Sequence, residues 1–448
     1  MKLKFSSLFL GLIGLTAPAW GAVEFSVGGT VTTEYFSRYV KLGGNGASND
    51  LNGASNDLYV NSTTKDDLGK GKEFITSGDN SWVGFSLNNK TDTVNSYLAL
   101  RYYKYQATRY IGHGDTKIAG GWTATGHVEW EEIGNSNYGP DSVGPNRTHY
   151  VSLTDGTLTY YIGRDKHFNK TTKGFKNSFA EYPSLAASSS DKISTSLSSD
   201  PASYATERIL GQSNTDIRSD AAIVKYKIDK TQDVAVLYSA NHTTSGAGES
   251  TQLPLRISNS DATRGILDDV NTGVGVFYNL KQTVAGNLID LSVQAAAFQR
   301  GSTKGGASEE YSLVGGGLGY GFKSILFGFN LSKLTESYRV GGVRGFSGAG
   351  NLYFDVNFNY QLDGKQGITA AFAKQSHDKK KVANDPNFTR KWALGLENQI
   401  IDLGYAYDLG VFVAKAGFTQ QNISFPAQTG KRTRATISVF RGQFVYNF

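Results

Sequence analysis

The sequence predicts an all-β fold, a transmembrane antiparallel up-and-down β-barrel. Three observations predict it. Apolar and polar residues alternate with period two along most of the chain beyond about residue 215. The connections between these segments alternate between short turns and long polar loops. The chain also begins with an export signal, after which no stretch approaches the ~20 apolar residues that a membrane helix needs.

The N-terminus reads MKLKFSSLFLGLIGLTAPAWGAVEF. Lys2 and Lys4 precede an apolar run from Leu8 to Leu15, and small residues follow at Ala17, Ala19 and Gly21. This is the pattern of a secretory signal peptide, with cleavage expected before Ala22 and the barrel expected over residues 22–448. Loss of residues 1–21 removes two lysines and lowers the formal charge from +6 to +4. The remaining charges are dispersed, with no basic run longer than Lys379-Lys380-Lys381, so no nucleic-acid partner is expected. Cysteine is absent although export would permit disulfides, so stability has to come from packing and backbone pairing. The 25 Tyr and 25 Phe, set against a negative mean hydropathy, require aromatic and polar residues to occupy different faces.

In NLYFDVNFNY, Leu352, Phe354, Val356, Phe358 and Tyr360 share one face, while Asn351, Tyr353, Asp355, Asn357 and Asn359 share the other. The pattern recurs in AAIVKYKI, ILFGFNL and VFVAKAGF. The short turns IDKTQ, GFKS, QLDGKQ and YDLG alternate with polar loops at 242–269, 301–310, 339–350 and 377–388. One rim should therefore carry the turns and the other the loops. A soluble sandwich or propeller also alternates, but seldom keeps this order for so long. A closed barrel whose apolar face meets lipid fits it. Counting back from the C-terminus gives 16 strands, with WTATGHVEWEE (122–132) placed inside a long loop. Counting that segment leads to the alternative of 18, because single-chain bacterial barrels have even strand numbers. A long loop is expected at 41–80. Within it, NGASNDL is repeated twice, too few copies for a solenoid. The duplication reads as a solvent-exposed extension, since doubling a loop costs only about 0.6 kcal/mol.

The last strand, TISVFRGQFVYNF, places Phe440, Phe444, Tyr446 and Phe448 on one face and ends on Phe448. The set Phe444, Tyr446 and Phe448 resembles the C-terminal signal read by the outer-membrane barrel assembly machinery. That resemblance implies a Gram-negative outer membrane, with its lipid and lipopolysaccharide as surroundings. Two further stretches, VEFSVGGTVTTEYFSRYVKLGG and NRTHYVSLTDGTLTYYIGRDKHF, resemble the first, fourth and fifth strands of the general diffusion porins. The second stretch carries Tyr161-Ile162-Gly163-Arg164, similar to the family's aromatic-x-Gly-Arg signature.

The resemblance implies a homotrimeric porin that passes small hydrophilic solutes and ions by passive diffusion; with neither Cys nor a His-x-x-x-His pair, no metal or cofactor is expected. It implies that the loop at about 165–215 folds inward as a constriction. Its SFAEYPSL segment is similar to the family's acidic Pro-Glu-Phe segment in changed order, which points to Glu181, and secondarily to Asp165 and Asp191, as constriction acids. For the basic wall, strand parity sets Arg38 against Val27 and Val31, Arg101 against Leu100 and Tyr102, Lys415 against Ala414 and Phe418, and Arg441 against Phe440 and Phe444. These four should face the lumen, because a charge facing lipid at mid-membrane costs about 2–4 kcal/mol. Arg147 stands where the family has a further lumenal arginine, but Val151 and Leu153 share its parity; the family's second-strand arginine is missing, with Trp82 near its place. A substrate-selective channel, for carbohydrates as an example, is the alternative, with Tyr97, Tyr103, Tyr105 and Tyr353 on the expected inner face. The six scattered histidines recur in no nucleophile-base-acid arrangement, and enzymatic activity is not expected.

Overall fold

A computed structural model describes residues 23–43, 72–77, 81–103, 107–133, 146–166, 218–239, 270–301, 308–340, 343–377, 397–426 and 432–448. They form a single antiparallel sheet. The first strands are β1 (Val23–Gly43), β2 (Lys72–Ser77), β3 (Trp82–Lys90), β4 (Val94–Tyr103), β5 (Ala107–Lys117) and β6 (Thr123–Ile133). Next come β7 (Asn146–Thr154), β8 (Leu158–Lys166), β9 (Arg218–Lys227), β10 (Gln232–Ser239), β11 (Val270–Val284), β12 (Asn287–Gly301) and β13 (Ser308–Phe322). The last are β14 (Ile325–Val340), β15 (Val343–Gln361), β16 (Gln366–His377), β17 (Glu397–Asp408), β18 (Phe412–Pro426) and β19 (Arg432–Asn447). β2 pairs with the far half of β1 and β3 with its near half, so these two pieces share one lane of the sheet. The 19 strands thus make 18 lanes, and pairing of β1 with β19 closes them into a barrel.

The expected 16 strands are corrected to 18. The two extra lanes are β5 and β6, where a long loop was expected around 122–132. Their outward positions explain the misreading. Gly112, Gly114, Ala124 and Gly126 carry little or no hydrocarbon, so the alternation that marks other strands is faint here. β2 stands within the stretch expected as the 41–80 loop, β8 extends to Lys166, and most of the expected 339–350 loop belongs to β14 and β15. A register shift at Glu336 and Tyr338 absorbs the irregularity of that hairpin.

The two faces separate as the alternation requires. Large apolar side chains are exposed on the outer face, among them Phe25 at 63%, Val151 at 61% and Ile162 at 64%, while Thr32, Ser292, Gln294, Asn330, Asn357 and Thr369 are buried on the inner face. This arrangement is inverted relative to a water-soluble protein and suits a wall whose outer solvent is lipid. Among the described residues, extensive packing between strands is confined to hydrogen-bonded neighbours, and on the inward face Ala221, Leu237, Ala296 and Leu313 form a buried apolar cluster.

The turns share one rim. At three of them an aspartate accepts two backbone N–H groups: Asp155 from Thr157 and Leu158, Asp229 from Thr231 and Gln232, and Asp363 from Lys365 and Gln366. Two of these turns extend the same relay. Gln232 Nε2 donates to Asp229 and its Oε1 accepts from the Tyr278 hydroxyl; Gln366 repeats this between Asp363 and Tyr405. Both tyrosines stand on the outer face near the turns, as do Tyr160, Tyr226, Tyr320, Tyr360 and Tyr446, giving an aromatic girdle with polar tips at that rim. Successive turns are stitched as well: Lys281 N–H donates to the Thr231 carbonyl, and Asp408 N–H to that of Lys365.

Closure uses the C-terminal residue. Gly29 N–H donates to the Phe448 carbonyl at 2.9 Å and Phe448 N–H to the Gly29 carbonyl at 3.1 Å. A Cβ at Gly29 would lie 2.6 Å from the Phe448 ring and from the Trp82 carbonyl, so the first strand needs glycine there. Gly163 is more constrained still, with φ +150 and its missing Cβ directed into the backbone of His149 and Tyr150.

Gly163→Ala is expected to destabilise the folded barrel by about 1–3 kcal/mol from backbone conformation alone, measured as a lower temperature for loss of the compact species in gel samples heated to graded temperatures. Hydrogen bonds from Thr231 hold the Asp229 carboxyl below its ordinary value, and backbone N–H groups do the same for Asp363 and Asp155. A depressed carboxylate contributes stability above its unfolded pKa and loses that contribution as pH falls through its folded pKa. Wild type should therefore exceed the Asp229→Asn, Asp363→Asn variant in stability at neutral pH, with the difference vanishing in acid; a difference independent of pH would contradict this.

Candidate functional site: the inner wall

The inner face of β3 to β8 is bulky and carries charges of both signs. Trp82, Tyr97, Arg101, Tyr103, Arg109, His113, Glu129, His127 and Tyr150 share it by register, because each pairs across to another member or lies two residues from one. The Arg101 guanidinium lies 4.5 Å over the Trp82 ring, and its Nη2 is 3.5 Å from the Tyr97 hydroxyl. Directly opposite in register, Arg109 lies 4.6 Å over the Tyr103 ring, and its Nε meets Glu129 Oε1 at 3.2 Å. Two adjacent arginines repel. Each is held instead by an aromatic face, and one is also neutralised by a carboxylate.

Below this pair, a row of rings crosses four strands. His113 and His127 are 5.6 Å apart, His127 stacks on Tyr150 at 5.1 Å, and Tyr150 on Tyr161 at 4.6 Å. Asp115 accepts from Thr125 Oγ1 at 2.6 Å and lies 3.2 Å from His113 Nε2. The hydroxyl therefore serves the carboxylate and not the imidazole, so the three are not ordered as nucleophile, base and orienting acid.

The inner face of β13 to β18 is small. β13 presents Gly315, Gly317, Gly319 and Gly321 inward, and β16 presents Gly367, Thr369, Ala371 and Ala373. Between and beside them two carboxylates are fully buried. Asp355 accepts from Asn330 Nδ2 at 2.8 Å and Asn357 Nδ2 at 2.9 Å, and Asp402 accepts from Thr419 Oγ1 at 2.6 Å. β13 to β15 lie nine lanes from β4 to β6, which on a closed ring of 18 is the opposite side. Rings stand with Arg101, Arg109, Asp115 and Glu129 on one wall, and small residues with Asp355, Asp402 and Lys415 on the other, so each wall carries charges of both signs.

The expected site residues fall unevenly on this frame. Arg101 and Lys415 are inward as parity required, with Lys415 opposite Ala406 and Gln443. Arg38 and Arg441 occupy inward register positions in β1 and β19, opposite Val439 and Gly417 respectively; their side chains lie outside the described residues. Arg147 sits at a register shift between β6 and β7, where Glu129 pairs with Thr148 and Trp130 with Asn146, and Arg147 itself is skipped. Its side chain and that of Asp165, in β8, lie outside the described residues, as do Glu181, Asp191 and Tyr105 altogether. Tyr353 has an inward register position, its side chain likewise outside them. Arg109, Glu129, His113 and His127 escaped the sequence reading because β5 and β6 did; once residues 107–133 are taken as two strands, odd-number parity finds all four.

No family model matches the chain, and no curated protein does. The barrel is similar to solved structures at low identity. An anion-selective porin from Comamonas acidovorans is 12% identical over 95% of this chain and 100% of that one, with TM-score 0.46. The trimer form of the Vibrio cholerae outer membrane protein OmpT is 10% identical over 96% and 100%, TM-score 0.46. The outer membrane channel DcaP of Acinetobacter baumannii is 13% identical over 95% and 98%, TM-score 0.44.

A double-mutant cycle on Arg109→Ala and Glu129→Ala should give a coupling of about 0.5–1 kcal/mol, since the pair is only partly screened from water. Zero coupling would mean that Tyr103 alone holds Arg109.

Proposed function

We propose that the chain is a porin-type channel of a Gram-negative outer membrane, passing small hydrophilic solutes and ions passively. The observation that carries this reading is the ionised and polar inner wall of a closed barrel whose outer belt is hydrocarbon. A barrel of this strand number encloses water, and charges on opposite walls orient that water and favour polar solutes over apolar ones. In this reading residues 1–21 are removed on export, and Phe444, Tyr446 and Phe448 direct assembly by the barrel assembly machinery. The mature barrel sits among outer-membrane lipid and lipopolysaccharide, and the segment of about 165–215 narrows the pore through Glu181, with Asp165 and Asp191 beside it. Arg38, Arg101, Arg147, Lys415 and Arg441 supply cationic lining. A homotrimer fits the flat outer patch of Gly112, Gly114 and Gly126, which lacks the side chains that fill the lipid-facing belt elsewhere. The carbohydrate-track alternative gains less support: Arg101 covers a face of Trp82 and Arg109 a face of Tyr103, so these rings offer less stacking surface.

Planar-bilayer recording on the refolded mature chain should show discrete conductance steps, in groups of three for a trimer. In a salt gradient, Arg101→Gln should move the reversal potential toward cation preference, and Glu181→Gln should move it the other way. An insulating protein would sink the channel reading, and an unchanged reversal potential in both variants would remove these residues from the pore.

A further inference from the structure

We propose that His113 and His127 form a weak site for a divalent transition-metal ion on the inner wall; the route of access rests on the channel reading, the site itself does not. The two residues are directly opposed on antiparallel neighbours and share the inward face. Their ring centres are 5.6 Å apart. Two imidazole nitrogens bound to one ion at about 2.0–2.1 Å place their ring centres roughly 5–6 Å apart. The observed spacing meets this, leaving rotation about χ2, a broad torsion for histidine, to bring the lone pairs together.

A second observation points the same way. His113 Nε2 lies 3.2 Å from Asp115 Oδ2, and the other carboxylate oxygen accepts from Thr125 Oγ1 at 2.6 Å. A carboxylate anchored in this way keeps the imidazole proton on Nε2 and leaves Nδ1 as the ligating atom, the arrangement that orients metal-binding histidines. His127 is held from its other side by the stack of Tyr150 and Tyr161. The His113 side chain is 29% exposed, so the pair is open to an arriving ion. Nitrogen ligands favour Zn²⁺, Ni²⁺ or Cu²⁺ over Mg²⁺ and Ca²⁺, which take oxygen shells.

Among the described residues no group of three or more His, Cys, Asp or Glu converges to hold a metal ion, so two imidazoles are the whole protein contribution and water completes the coordination. Asp115 orients one ligand and is not counted as a third. A site of this kind binds weakly and exchanges readily, which is what a passage requires of any stop along it.

The test uses the refolded mature protein in detergent with Cu²⁺ as the probe, read by electron paramagnetic resonance. One copper per chain coupled to two nitrogens is expected, lost in His113→Asn and in His127→Phe, which keeps a ring against Tyr150, and retained in His377→Ala. Asp115→Asn should weaken binding about tenfold. In bilayers, Zn²⁺ should reduce the wild-type current but not that of His127→Phe, while Mg²⁺ leaves both unchanged. A copper signal that persists unaltered in both histidine variants would overturn the proposal. If no conductance is seen at all, the channel reading fails and the copper spectra still decide the site.

Discussion

The backbone sets the terms for the rest of this structure. A sheet surrounded by hydrocarbon has to pair its N–H and C=O groups internally, since lipid offers no partner and each unsatisfied group costs several kcal/mol. The solution here is closure of β1 on β19, completed by the reciprocal hydrogen bonds between Gly29 and Phe448. That seam explains the two glycines side by side in the first strand, since a Cβ at Gly28 would meet the Phe448 carbonyl and one at Gly29 the Phe448 ring and the Trp82 carbonyl. It also explains why one rim is kept tight, with aspartates satisfying turn amides and glutamine-tyrosine relays tying the turns to the outer girdle.

Once the sheet is closed, side-chain direction follows from parity, and parity allots lipid and water their own residues. The inner wall then differentiates. Trp82, Arg101, Tyr103 and Arg109 project bulk from one side, with Glu129 and Asp115 among them. On the other, β13 presents glycines and β16 alanines, and the buried Asp355 and Asp402 accept from amide and hydroxyl donors.

Much of this was legible in the sequence, for a physical reason. Where the outer face is hydrocarbon, as in Leu352, Phe354, Val356, Phe358 and Tyr360, period two is unmistakable and fixes face, register and the inward placement of Arg101 and Lys415. Where the outer face mixes small residues with large ones, as Gly112, Gly114, Ala124 and Gly126 do with Tyr110 and Val128 in β5 and β6, period two is interrupted, and two strands with four inward functional side chains give only a weak signal. Parity also breaks at a register shift, which is why the spacing of Arg147 from Val151 could not place it. Cross-strand relations such as His113 beside His127, or Arg101 over Trp82, depend on register between segments and have no counterpart in local spacing.

Alternate residues of one strand face water and lipid. The chain contains no cysteine, so single cysteines can report on it without background. Cysteines placed one at a time at Phe85, Ser86, Leu87 and Asn88 in β3, and at Ala124, Thr125, Gly126 and His127 in β6, would be exposed to a charged, membrane-impermeant thiol reagent after reconstitution in lipid. Labelling is expected at Ser86, Asn88, Thr125 and His127 and protection at Phe85, Leu87, Ala124 and Gly126. Uniform labelling along either strand, or labelling of the opposite set, would contradict it.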